Sequence, residues 1–180
     1  MARLFAACRG RRKRELPQST RGHFKFSIVD AYGAVLVPKN NEYDLDTLIA
    51  QQLGAVYVAS LGQNVPHWFA EGCGRVVAAR QAGNDRRVAQ WDAELSGIMG
   101  SLSKPDDFLT GKLAPESADI CSFSFAKFLM ENRRFTSMID GLRKGGDFPK
   151  VFSEAFNGTP DQLAAAWARA PQKGGRPRAK

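Results

Sequence analysis

Few groups capable of acid–base, nucleophilic or metal chemistry lie close together in this chain. It carries two histidines, His23 and His67, and three cysteines, Cys8, Cys73 and Cys121. The cysteines are odd in number, scattered, and form no CxxC pair, which argues against a disulfide framework and against a cysteine-rich zinc knuckle. Their plain reading is reduced thiols, two of them small buried hydrophobes and one in a tail. A catalytic Cys–His pair would have only the two histidines to draw on. One pairing has helical spacing: His67 and Glu71 are four residues apart, so on a helix they share a face. Two such ligands alone would make a weak, exchangeable metal site. The other reading of Glu71 is a capping or surface carboxylate, and of Trp68 a core side chain.

The segment that carries these residues is Val65-Pro66-His67-Trp68-Phe69-Ala70-Glu71-Gly72. It resembles the "P-x-W-hydrophobic-x-E-G" stretch of gluzincin metallopeptidases of the peptidase MA type. The resemblance implies that Glu71 stands where that family has its third zinc ligand, with His67 and Trp68 as possible cleft residues. The family's other two ligands are the histidines of an HExxH motif on the preceding helix. Residues four apart on one helix face bring both imidazoles to one zinc, and the Glu between them takes a proton from zinc-bound water. Carried over by position, the first His falls on Ala50, the catalytic Glu on Gln51 and the second His on Gly54. One carboxylate does not make a catalytic zinc site, which takes three protein ligands, and a side-chain amide is no general base near neutral pH. The family's oxyanion-stabilising Tyr or His also has no counterpart, since Ala118, Asp119 and Ile120 occupy that region.

The likeness spans roughly residues 44–168 and includes Ala155-Phe156-Asn157-Gly158 and the Leu163 to Trp167 spacing of a closing helix. What it implies is an inactive, peptidase-like protein without metal or other cofactor, whose remaining capability is to bind extended peptide or protein in the old cleft. Two other readings stay open. One is an active metallohydrolase with unrecognised ligands, or a fragment whose missing part completes the site. The other is a basic-tailed protein that binds nucleic acid or another acidic surface.

The elements that must position these residues follow from hydrophobic period. Residues 23–30 alternate, with Phe24, Phe26 and Ile28 against Lys25 and Ser27, which is the period of a half-buried strand. A turn at Tyr32-Gly33 and a second apolar run, 34–37, make a short hairpin. The period then changes. Asp44 or Asp46 can cap a helix whose apolar positions are Leu45, Leu48, Ile49, Leu53, Val56 and Tyr57, with Gly62 as its stop. Gly54 inside it costs about 1 kcal/mol relative to Ala, which suggests close helix packing at that point. A second helix opens after Val65-Pro66, buries Phe69, Cys73, Val76 and Val77, and ends near Arg80. A third spans 85–99, and 100–117, with Pro105, Gly111 and Pro115, reads as a long surface connection. Short helices over 117–131, 135–142 and 149–156 follow. Thr159-Pro160-Asp161-Gln162 is a capping box opening the last. The expected fold class is therefore α+β, mainly α: a hairpin followed by one metallopeptidase-like helical domain over 23–168.

At 180 residues with 12 Phe and 3 Trp, the chain is long and apolar enough for one core. Its formal charge of +8 is unevenly placed: residues 1–25 hold eight Lys or Arg against Glu15 alone, and 169–180 hold five with no acid. The body, 26–168, is left mildly acidic. We therefore expect basic, disordered tails over 1–22 and 169–180, able at most to bind polyanions weakly. The short apolar opening is followed at once by Arg9, Arg11, Arg12, Lys13 and Arg14, unlike a secretory signal, and no apolar run reaches membrane-spanning length. A cytoplasmic protein with no membrane partner is the expectation.

Overall fold

In the computed structural model, residues 21–26, 31–36, 45–83 and 86–170 are described, with side chains from Leu45 onward. The expected basic tails fall almost wholly on residues outside this set, as does the inter-strand connection 27–30. Strands β1 (Arg21–Phe26) and β2 (Ala31–Leu36) pair antiparallel, with Phe24 opposite Gly33 and Lys25 opposite Tyr32. Tyr32 and Gly33, read as a turn from sequence, thus lie inside β2.

The rest is a mainly α-helical domain. Seven helices follow among the described residues: α1 (Leu45–Ala59), α2 (His67–Gln81), α3 (Arg86–Ser101), α4 (Pro115–Met130), α5 (Arg134–Arg143), α6 (Phe148–Phe156) and α7 (Pro160–Arg169). No described helix is long and apolar enough to cross a membrane. The last helix starts as its sequence dictates. Pro160 sits in the first turn, the Thr159 backbone N–H donates to Gln162 Oε1 at 3.0 Å, and the capping box closes in both directions. Before it, α6 ends on Asn157 in the left-handed region (φ 56°), where a short amide side chain is tolerated.

Helix α2 is the hub, packed on α1 on one side and α4 on the other. Two glycines permit this. A Cβ at Gly72 would run into the Ser122 carbonyl of α4, and one at Gly74 would run into the Gln51 carbonyl of α1. Across the second contact, a Cβ on Gly54 would lie 3.3 Å from the Gly74 Cα, so the two backbones nearly touch.

That close approach decides which face of α1 is buried. The expected apolar stripe is not the one used: Leu45, Ile49, Leu53 and Tyr57 are exposed, while Thr47, Leu48, Gln51, Gln52, Ala55 and Val58 are buried. Small and polar side chains let the backbones meet, and large aliphatic ones turn outward. Val77, expected inside α2's stripe, is also exposed. The stretch between α3 and α4 departs from a surface loop in the same manner. Phe108 is buried, edge-on to Trp68, Phe125 and Trp167 at centroid distances of 6.4, 5.5 and 5.3 Å. Asp107, also buried, holds the turn by accepting the Lys104 N–H at 2.8 Å.

Candidate functional site

The site is built where α1, α2 and α4 meet, around Glu71. This carboxylate is buried on α2, and its Oε1 accepts two hydrogen bonds. One comes from Gln51 Nε2 on α1 at 2.8 Å, the other from Arg75 Nε, one turn further along α2, at 3.1 Å. The amide orientation of Gln51 is fixed by chemistry, since a carboxylate only accepts and must be met by the N–H end. Arg75 then reaches α4, where Nη2 bonds Asp119 Oδ2 at 2.9 Å. Its guanidinium stands 4.8 Å from the centre of the Trp91 ring of α3, which also has Arg87 at 5.6 Å. One arginine thus links α2 to α4 and stacks on α3.

The residue of α1 that meets Glu71 is Gln51. Ala50 and Gly54, the positions where the resemblance places the histidines, do not make that contact, and Gly54 lies instead against Gly74 and Val77. The pair four apart on the α2-facing side is Gln51 and Ala55. A Cβ on Gly74 would meet the Gln51 carbonyl and, at 3.0 Å, the Ala55 Cβ, and Ala55 is fully buried. Position 54 thus faces α2 as well, but at the backbone contact with Gly74 rather than at Glu71.

His67 opens α2 and is exposed, and it favours the ionised form of Asp119. Trp68 packs into the aromatic core against Phe125, Phe148 and Phe69, at 5.4, 5.9 and 5.5 Å. The thiols of Cys73 and Cys121 are buried and free. Burial pushes both up, that of Cys121 to about 12, so neither is a nucleophile near neutral pH.

A zinc centre does not fit these groups. A side-chain amide nitrogen has no lone pair for a metal, Glu71 Oε1 already faces two N–H donors, and a guanidinium occupies the cation's side of the carboxylate. No three His, Cys, Asp or Glu side chains come together as ligands among the described residues. At the region where an oxyanion donor was sought, Asp119 presents a carboxylate oxygen to Arg75.

Sequence reasoning overlooked Arg75 and Asp119 as partners. The four-residue spacing of Glu71 and Arg75 is a visible signal of an ion pair on one helix face. Asp119, 44 residues away from Arg75, has no such signal.

Asp119 gives the site a pH dependence. Burial raises its carboxyl above the ordinary value, and Glu71 adds to this, while Arg75 and His67 act against it. A raised carboxyl takes up a proton in the folded state before it does so in the unfolded chain. Its contribution to stability is therefore complete below the ordinary carboxylate range and is lost as pH rises through the raised value. Asp119→Asn should remove this slope. Urea unfolding of the two proteins between about pH 4 and 7 should show the difference in stability changing with pH in that direction. A constant difference would mean that Asp119 titrates normally.

No family model matches the chain, and neither does any curated protein or solved structure.

Proposed function

We propose that this chain is a non-catalytic, peptidase-like domain of the gluzincin kind that binds extended peptide or protein. The reading rests on the likeness of the Pro66–Gly72 segment. The observation that supports it most is the state of Glu71: the carboxylate in the ligand position is engaged by Gln51 and Arg75. Arg75 supplies the positive charge that a zinc ion would otherwise bring, and supplies it without a bound water to deprotonate. Gln51, the side chain of α1 that meets Glu71, has no proton-accepting form near neutral pH.

The test is made on the full chain. Purified protein should hold far less than one zinc per molecule and show no chelator-sensitive cleavage of an unfolded protein, yet it should bind that protein. Stoichiometric, tightly held zinc would overturn the non-catalytic reading. Failure to bind any unfolded chain would remove the peptide-binding part of it.

A further inference from the structure

The large apolar side chains that stay exposed among the described residues all lie in one place. Leu45, Ile49, Leu53 and Tyr57 recur every four residues along the outer side of α1. Val77 of α2 adjoins them across the seam at Gly54, where its Cγ2 stands 3.4 Å from the place of a Cβ. The five are 41–65% exposed, although β1, β2 and α2 all pack on α1. Together they present on the order of 400–500 Å², the size at which the largest apolar patch of a monomer is often functional. Polar groups close the row at both ends. Asp46, the charged residue of α1, stands at its start. At its far end Arg143 of α5 donates from Nη2 to the Tyr57 hydroxyl at 3.0 Å, with Asp140 3.6 Å from its guanidinium and exposed Lys144 next to it.

We propose that this row is the seam of a symmetric dimer, in which α1 packs against α1 of a second copy. Residues four apart form the ridge that interdigitates with a like ridge in the commonest mode of helix packing, at about 50°. One surface therefore serves both partners, as an isologous contact requires. Charge favours a second copy and sets its direction. An antiparallel crossing brings Asp46 of each copy to the Arg143–Lys144 end of the other, where two cations outweigh Asp140. A parallel crossing would set Asp46 against Asp46. The contact is small: both copies together would cover about 800–1,000 Å² of apolar surface, under the roughly 1,200 Å² at which stable interfaces begin. The dimer is thus reversible and forms by mass action as concentration rises.

Sedimentation of the full-length protein tests this from about 5 to 500 µM, in roughly 0.15 M salt so that the basic ends are screened. The mean mass should climb toward twice the monomer value. Leu53→Glu and Ile49→Lys should each hold the protein monomeric over that range. In dilute solution both should melt within a few degrees of the parent, because these side chains already face water in the single chain. Either variant suffices should the other fail to fold. Asp46→Arg and Arg143→Asp should each weaken association about fivefold or more, and the double exchange should restore it. A parent that stays monomeric at the highest concentration would overturn the inference. So would association that Leu53→Glu leaves intact, since the contact would then use another face. A monomeric parent that Leu53→Glu destabilises strongly would mean that a segment of the same chain covers the row, which also overturns it. Association that the double exchange does not restore would overturn the antiparallel arrangement.

Discussion

Replacing Arg75 by methionine should cost about 3–5 kcal/mol, the typical loss when one partner of a buried ion pair is removed and the other is left behind. At roughly 2–4 °C per kcal/mol for a chain of this size, the melting temperature should fall by about 6–20 °C. The reason is geometric. Side-chain exposure is 14% for Arg75 and 4% for Glu71, so without the guanidinium the carboxylate keeps its charge in a nearly dry place with only Gln51 to answer it. Asp119, 31% exposed, can turn to water and adds less. Adding Glu71→Gln to Arg75→Met should recover most of the loss, since the orphaned charge is then gone and Gln51 still finds an acceptor. Chemical denaturation of the three proteins measures this. If Arg75→Met alone costs under about 1 kcal/mol, the pair behaves as a surface one and does not hold the helices together.

The second large effect concerns the ligand positions on α1. Gln51→His with Ala55→His should bind zinc together with Glu71, because residues 51 and 55 share the face turned to α2. Ala55 is enclosed, so the added imidazole carries an overpacking cost of about 1–3 kcal/mol, and the double variant should melt low in chelator. Zinc at a hundredfold excess over its dissociation constant should return about 2.7 kcal/mol. In the zinc-loaded protein the metal answers Glu71, so adding Arg75→Met should cost far less there than in the parent. The companion pair, Ala50→His with Gly54→His, should gain no zinc-dependent stability, since Gly54 lies against Gly74 and has no room for a ring. Thermal melts with zinc and with chelator decide the matter. Zinc stabilisation of the 50/54 pair but not of the 51/55 pair would restore the register read from the motif alone.

That one-residue difference shows where the sequence was legible and where it was not. Elements bounded by local chemistry were readable: the Thr159 capping box, the Asn157 stop and the Val65-Pro66 entry into α2 act through neighbouring residues. The face of α1 was not. Apolar residues occur almost all round this helix, so hydrophobic period alone cannot choose a side. The choice is made by size, where Gly54 and Ala55 meet Gly74, a contact between residues about twenty apart. The burial of Phe108 escaped for a related reason: its Pro- and Gly-bearing surroundings read as surface, while its ring fills a gap among Trp68, Phe125 and Trp167. At the candidate site, the four-residue spacing of Glu71 and Arg75 was visible in the sequence. The Arg75–Asp119 half depends on α4 folding back beside α2.

One small feature joins the two ends of the helical chain. Gln63, after α1, and Asp147, before α6, form a lone parallel bridge: the Phe148 N–H donates to the Gln63 carbonyl at 2.9 Å and the Gln63 N–H to the Gly146 carbonyl at 3.1 Å. Asn64 Nδ2 adds a bond to Asp147 Oδ1 at 2.7 Å. Helical hairpins such as α1–α2 and α5–α6 assemble from near neighbours and could open separately. This clasp closes a loop of more than eighty residues, late in assembly by its entropy, and makes the opening of either hairpin a matter for both. The backbone amides of Gln63 and Phe148 are thus reporters of the whole domain's cooperativity, exchanging with solvent at the rate of global unfolding rather than of local fraying.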